Sequence, residues 1–231
     1  MEFDFLLWPM LIPMVFPIFY CLKYKREALA EIVAIILTMV VIVIAYWPFS
    51  NLIITSQNII AKFILFIIFP IIVLFIFKRD KSIFDLRKYG IKKVGLKKSL
   101  FLSMLFLPLM LGVTFAIKYV GGVTYDADVI GGSISFFESF TEEFFFRGIL
   151  FVFLLSRTNL KIAYITSLAS FILMHPQHLE NYTNLFFIST IVQGILTIEI
   201  ARRSENIAGA WILHGINRFF GIVIVPILLL S

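Results

Sequence analysis

Hydrophobic residues run through this chain in long blocks separated by short polar segments. Blocks of spanning length lie near Phe5–Leu22, Ala28–Phe49, Asn58–Phe77, Ser99–Val120, Gly132–Ser156, Lys161–His175, Thr183–Ala201 and Asn206–Leu230. A helix needs about 20 apolar residues to cross a hydrocarbon core of about 30 Å. The pattern therefore predicts an all-α polytopic membrane protein with about eight transmembrane helices, the sixth of them short. No internal repeat, low-complexity tail or linker interrupts it, so residues 1–231 are expected to form one membrane domain. Pro9, Pro13 and Pro17 recur every fourth residue in the first block. They predict a kink that leaves carbonyls for neighbouring groups to satisfy. Trp47-Pro48-Phe49-Ser50-Asn51 reads as an interface turn, and residues 121–128 as an outer connection whose Asp126 and Asp128 form a solvated face.

Composition agrees with the pattern. Hydrophobic residues make up 61% of the chain, 27 residues are Phe, and the mean hydropathy is +1.00, more apolar surface than a soluble domain can bury. A net charge of +6 raises nucleic acid as a partner, but the placement of the charge argues against it. Three basic residues follow helix 1, nine lie from Lys78 to Lys98, two separate helices 5 and 6, and two follow helix 7. Those 16 of the 20 fall on one side of the threading. The positive-inside rule makes that side cytoplasmic, with both termini opposite. The segment from Asp85 to Lys93 is expected along the inner headgroups, where Lys and Arg favour anionic lipid. No signal peptide is expected, because the N-terminus carries Glu2 and Asp4 and the first block lacks a small-residue cleavage site. Cys21, the single cysteine, allows no disulfide within the chain and reads as a lipid-facing residue.

The stretch from Phe136 to Gly148 breaks the apolar rule. It places Glu138, Glu142, Glu143 and Arg147 among phenylalanines at membrane depth. Ionised groups there cost roughly 2.5–3.5 kcal/mol each on insertion scales, so they serve function or pair with a partner. Glu143 and Arg147, four apart, share a helix face and are expected to pair, which leaves Glu142 to face something else. All three histidines follow. His175 ends helix 6 with Phe171 on its face, His178 lies in the next loop, and His214 shares a face of helix 8 with Asn217 and Arg218. Counting rise per residue puts Glu142 about 15 Å, His175 roughly 9 Å and His214 roughly 18 Å below the outer surface. These depths overlap within a few residues of helix-end uncertainty, so one shared site is feasible.

A carboxylate in a dry site can act as general base on water, with a histidine sharing the proton. A second histidine and an asparagine amide can donate to an oxyanion. Glu142, His175 and His214 are equally suitable as ligands of a divalent metal such as zinc. Either arrangement hydrolyses an acyl bond. His-Glu-x-x-His is absent, and Gly131-Gly132-Ser133-Ile134 falls short of a serine-protease motif. Glu31 and Lys62 read as structural charges near helix ends, Glu199 as a helix-end partner of Arg202, and the Phe-rich faces as lipid contacts.

In order, Glu142-Glu143-x-x-x-Arg147, then Phe171-x-x-x-His175, then His214 with a nearby Asn resemble the three motifs of the CPBP intramembrane protease family. That family holds the type II CAAX prenyl endopeptidases and the Abi, or bacteriocin-immunity, proteins. The resemblance covers roughly residues 99–231 and implies a catalytic cavity between the C-terminal helices of a multi-pass cell-membrane protein. It implies that Glu142 activates water with help from His175, that His214 and Asn217 stabilise the oxyanion, and that Glu143 and Arg147 hold the site together. The expected partners are a membrane-associated peptide or lipidated protein as substrate, and the bilayer. One departure stands out. The family places Asn or Asp four residues after the third-motif histidine, and here that residue is Arg218, free to pair with Glu138 or Glu199. A non-catalytic immunity or regulatory protein on the same fold is therefore the alternative, and a small proton-coupled transporter a weaker third.

Overall fold

The structure, a computed structural model, describes residues 7–51, 58–122, 125–175 and 184–230. Among these there is no strand, and the helices line up in eight rods. They are α1 (Trp8–Tyr24), α2 (Leu29–Asn51), α3 (residues 58–78), α4 (Leu96–Gly121), α5 (residues 129–157), α6 (Leu160–Leu173), α7 (Asn184–Ser204) and α8 (Ala208–Leu230). Four stretches are long and apolar enough to cross a membrane: Arg26–Tyr46, Ile59–Lys78, Leu96–Gly121 and Ala208–Leu230. α1 and α6 are shorter apolar helices. α5 carries four ionisable side chains in its interior, and α7 carries Glu199, Arg202 and Arg203 in its last turns.

The prolines of α1 act as their spacing predicts. Residues Trp8–Met14 wind as a 3₁₀-helix, and the α-helix proper starts at Val15. Pro17 has no N–H to offer the carbonyl of Pro13, nor Pro13 one for that of Met10. Hydroxyls of α6 donate instead, Thr166 to the Pro13 oxygen at 3.4 Å and Ser170 to the Met10 oxygen at 2.8 Å. Pro48 behaves differently from expectation. The backbone stays helical through Asn51, so no turn forms there. One missing N–H costs a helix a single bond, and neighbouring helices can satisfy what is freed.

α5 is the axis of the bundle, packed against α3, α6, α7 and α8, while α4 covers α7 and α8. This position overturns the reading of its phenylalanines as lipid contacts from Phe144 onward, while Phe137 stays exposed. Phe144, Phe145, Phe146, Phe151 and Phe153 are all buried. They meet other rings edge-on, Phe145 against Phe66 at 5.5 Å and Phe146 against Phe171 at 5.4 Å. Such pairs add about 0.5–1.5 kcal/mol beyond the area they bury. The lipid-facing surface is built by residues such as Ile12, Phe19, Ile44 and Phe101 on the outer helices. Cys21 is likewise inside, fully buried with its thiol against the Arg157 carbonyl.

Two glycines let α8 press on its neighbours. A Cβ on Gly209 would lie 2.0 Å from the Ser99 carbonyl oxygen of α4, and one on Gly215 would meet Phe136 of α5 at 2.7 Å. Close approach through small residues is how membrane helices gain contact area when lipid is as apolar as the side chains. The contact at Gly215 brings the preceding residue, His214, onto α5.

At the basic end, Glu31 of α2 is fully buried and bridged by Lys78 of α3 at 3.4 Å and Arg157 of α5 at 2.9 Å. Glu199 pairs with Arg202 at 2.7 Å and Arg203 at 2.9 Å, the helix-end arrangement expected. The connection from α3 to α4 forms two 3₁₀ turns, Lys81–Phe84 and Leu86–Tyr89. It hangs its basic side chains outward and buries Tyr89, whose hydroxyl donates to the Ile83 carbonyl at 2.8 Å. Asp85 caps the second turn, and the Arg87 guanidinium lowers its carboxyl to about 2.

Candidate active site

The polar residues singled out in the second half of the chain meet at one end of a cavity of about 580 Å³. Glu142, one helical turn after Glu138, is 2% exposed. Its Oε1 accepts from Lys62 Nζ of α3 at 2.6 Å and from Arg218 Nη1 of α8 at 3.2 Å. Its Oε2 accepts no hydrogen bond. Two histidine nitrogens face that oxygen, His175 Nε2 at 4.0 Å and His214 Nε2 at 3.9 Å.

Both rings are held from behind. His175 donates from Nδ1 to the Phe171 carbonyl at 2.8 Å, one turn back on α6. His214 donates from Nδ1 to Glu143 Oε1 at 2.8 Å. With Nδ1 of each ring engaged, both rings turn Nε2 toward Glu142, the usual division of labour between the two ring nitrogens. Glu143 in turn meets Arg147 Nε at 3.2 Å, the pair its spacing predicts. Arg147 is fully buried, donates to the Gly194 carbonyl at 3.3 Å and to the Thr197 hydroxyl, and stacks on Phe171 at 4.1 Å. Glu143 therefore does more than hold an arginine, because it also orients a histidine.

Asn217 lines the cavity beside His214, but its amide is engaged. Its Oδ1 accepts from Thr114 at 2.6 Å and its Nδ2 donates to Gln193 at 2.9 Å. Arg218 pairs with Glu138 at 3.1 Å as well as with Glu142, and not with Glu199. Lys62, read from sequence as a structural charge near a helix end, is 4% exposed and also binds Glu138 at 2.6 Å. Lys62 and Arg218 thus clamp two carboxylates one turn apart on α5. Of these four groups the sequence pattern signalled the carboxylates and Arg218, whose pairing with Glu138 is one of the two expected, but not Lys62, which lies 80 positions from Glu142 with no local spacing to join them. His178 lies outside the described residues.

The backbone is unusual at three of these places. A π-helical stretch begins at Ile64, two residues after Lys62; another at Phe144, directly after Glu143; and a third at Phe220, two residues after Arg218. Wider turns of this kind recur at functional sites, where they re-aim side chains.

Among the described residues no three His, Cys, Asp or Glu side chains form a metal site. The candidate donors here are Glu142 Oε2 and the two Nε2 atoms, 3.9–4.0 Å from it. Tetrahedral zinc would hold such atoms roughly 3.3 Å apart. Glu142 also already carries two cations. The arrangement fits a water between the three atoms better than a divalent ion.

Residues 129–220 match the family model described as type II CAAX prenyl endopeptidase Rce1-like. The matched stretch contains all three motifs and bears out the resemblance read from them; Lys62 lies before it. Neither curated proteins nor solved structures gave a match. The fold is that of an all-α membrane protein, and over residues 129–220 the chain is similar to the CAAX-type intramembrane proteases.

Proposed function

We propose that the chain is an intramembrane endopeptidase of the cell membrane that hydrolyses a peptide bond of a membrane-associated peptide or protein with activated water. The observation that carries this reading is the Oε2 of buried Glu142, a residue of the cavity wall, which accepts no hydrogen bond and is faced by the Nε2 atoms of His175 and His214. A water held between these atoms gives its proton to Glu142, assisted by His175, and its oxygen attacks the scissile carbonyl carbon. The oxyanion that forms lies beside His214 and Arg218. His214, held through Nδ1 by Glu143, lines the side on which the oxyanion forms. Arg218 adds a fixed positive charge in a water-poor site, where such charge stabilises an oxyanion most. The C–N bond then breaks as the proton passes from Glu142 to the leaving amine. Asn217, which the resemblance nominates as an oxyanion donor, keeps Gln193 and Thr114 in the wall and reaches the oxyanion if Gln193 yields. Residues 99–231 form the catalytic core on this reading, with Lys62 added from outside it.

The test is cleavage of a quenched fluorescent peptide library by the detergent-purified chain, with Glu142→Gln and a chelator as comparisons. Turnover abolished by Glu142→Gln and indifferent to chelator is expected. No turnover by folded wild type across a broad library would favour the non-catalytic immunity or regulatory alternative.

A further inference from the structure

We propose that the cavity receives its substrate from the non-cytoplasmic side of the membrane. The segment cleaved is then part of an exported peptide, or the outward-facing part of an anchored one. The substrate half of this inference rests on the endopeptidase reading, and the direction of access does not.

Four helices show the direction independently. Along α5, Asp128 is exposed and Ser135 half-buried, while Glu138 is 7%, Glu142 2% and Arg147 0% exposed. Along α7, exposure falls from Ser189 to Gln193 to Thr197. In α6 and α8, which run the other way, it rises from Ser170 to His175 and from Ala210 through His214 to Arg218. All four gradients descend from the end of the bundle that holds the α4–α5 connection toward the opposite end. The mouth is marked by Lys118 and by Tyr125, whose hydroxyl donates to the Gly221 carbonyl at 3.2 Å. Below Glu142 the route is shut. Phe144, Phe145, Phe146 and Tyr89 are buried there, and the Ile207 amide closes on the Gly90 carbonyl at 3.1 Å.

Charge gives that axis a sense. The end below the plug carries Arg157, Arg202, Arg203 and the nine Lys and Arg residues from Lys78 to Lys98. At the mouth end, the described residues 122, 125–128 and 174–175 hold no Lys or Arg, but include Asp126 and Asp128. The four basic residues away from the loops are Lys62, Arg147 and Arg218 in the interior and Lys118 at the mouth. Short loops rich in Lys and Arg stay cytoplasmic, so the mouth faces the opposite compartment.

The experiment uses the full chain, whose single cysteine is buried. Ser135→Cys in the cavity, Asp126→Cys at the mouth end and Lys93→Cys at the basic end are made one at a time. Each is treated with a membrane-impermeant maleimide in right-side-out and in inverted vesicles. We expect Asp126→Cys and Ser135→Cys to react in right-side-out vesicles, and Lys93→Cys in inverted ones only. Reaction of Ser135→Cys or Asp126→Cys only in inverted vesicles overturns the proposal. So does a Ser135→Cys that stays unlabelled from both sides while Asp126→Cys reacts outside. A quenched peptide added to the same vesicles should be cleaved by right-side-out preparations alone. Cleavage confined to inverted vesicles overturns the side of access. No cleavage in either orientation, with the labelling as expected, defeats the endopeptidase reading and leaves the access route standing.

Discussion

Two buried carboxylates of this protein look alike in outline and differ in what surrounds them. Glu31 and Glu142 are each bridged by a lysine of α3 and an arginine from a third helix. At Glu31 both cations sit on one oxygen and are partly exposed at the basic end, away from the 580 Å³ cavity; the group ties α2, α3 and α5 together. At Glu142, in the cavity wall, the cations take Oε1 and leave Oε2 to two histidines. The difference teaches that buried charge alone does not mark a reactive site. What sets Glu142 apart, and what the proposed function rests on, is a carboxylate oxygen free of cations and faced by two rings whose other nitrogens are already committed.

The largest effect that sharpens this contrast is loss of turnover. Glu142→Gln should lower cleavage by about 10³-fold or more, the upper part of the range for general acid–base groups, with the helical circular dichroism unchanged. Glu31→Gln should leave cleavage within about threefold. If a folded Glu31→Gln chain lost as much activity as Glu142→Gln, the two carboxylates would not be divided as argued.

Replacing His175 by Ala should cost about 10²-fold in kcat. Glu143→Gln should lower kcat and also the melting temperature, because one carboxylate both orients His214 and neutralises Arg147. An effect on melting with kcat untouched would show that Glu143 is a structural partner only.

Stability should report the other member of the comparison. Breaking a buried pair from one side costs about 3–5 kcal/mol. Lys78 and Arg157 are partly solvated, so Glu31→Gln should cost about 1–2 kcal/mol, read as an earlier unfolding transition in detergent. The smallest effect is expected at Asp85, an exposed carboxylate with a bidentate arginine. Its lowered pKa means that its contribution is present above the ordinary carboxylate range and is lost as pH falls toward 2. Asp85→Asn should therefore leave the melting temperature at pH 7 nearly unchanged, and a large shift would show that this turn anchors the bundle.

Much of the architecture was legible in the chain because it depends on local quantities. Block length sets which helices can span, and loop charge sets their sense. The four-residue spacing sets the Glu143–Arg147 pair, and proline chemistry sets which carbonyls of α1 need outside donors. The grouping of Glu142, His175 and His214 followed from their depths along separate helices. Tertiary structure decided the rest. Lys62 reads the same whether it snorkels to a headgroup or crosses to Glu142, since its partner lies on another helix 80 positions away. Asn217 and Arg218 share a face with His214, yet packing turned one amide to Gln193 and the guanidinium to two carboxylates. Cys21 and the phenylalanines of α5 fit lipid and protein interior equally well by composition, because both surroundings are apolar. Only the placement of α5 at the centre of the bundle removed them from lipid, and that placement depends on contacts between residues far apart in the chain.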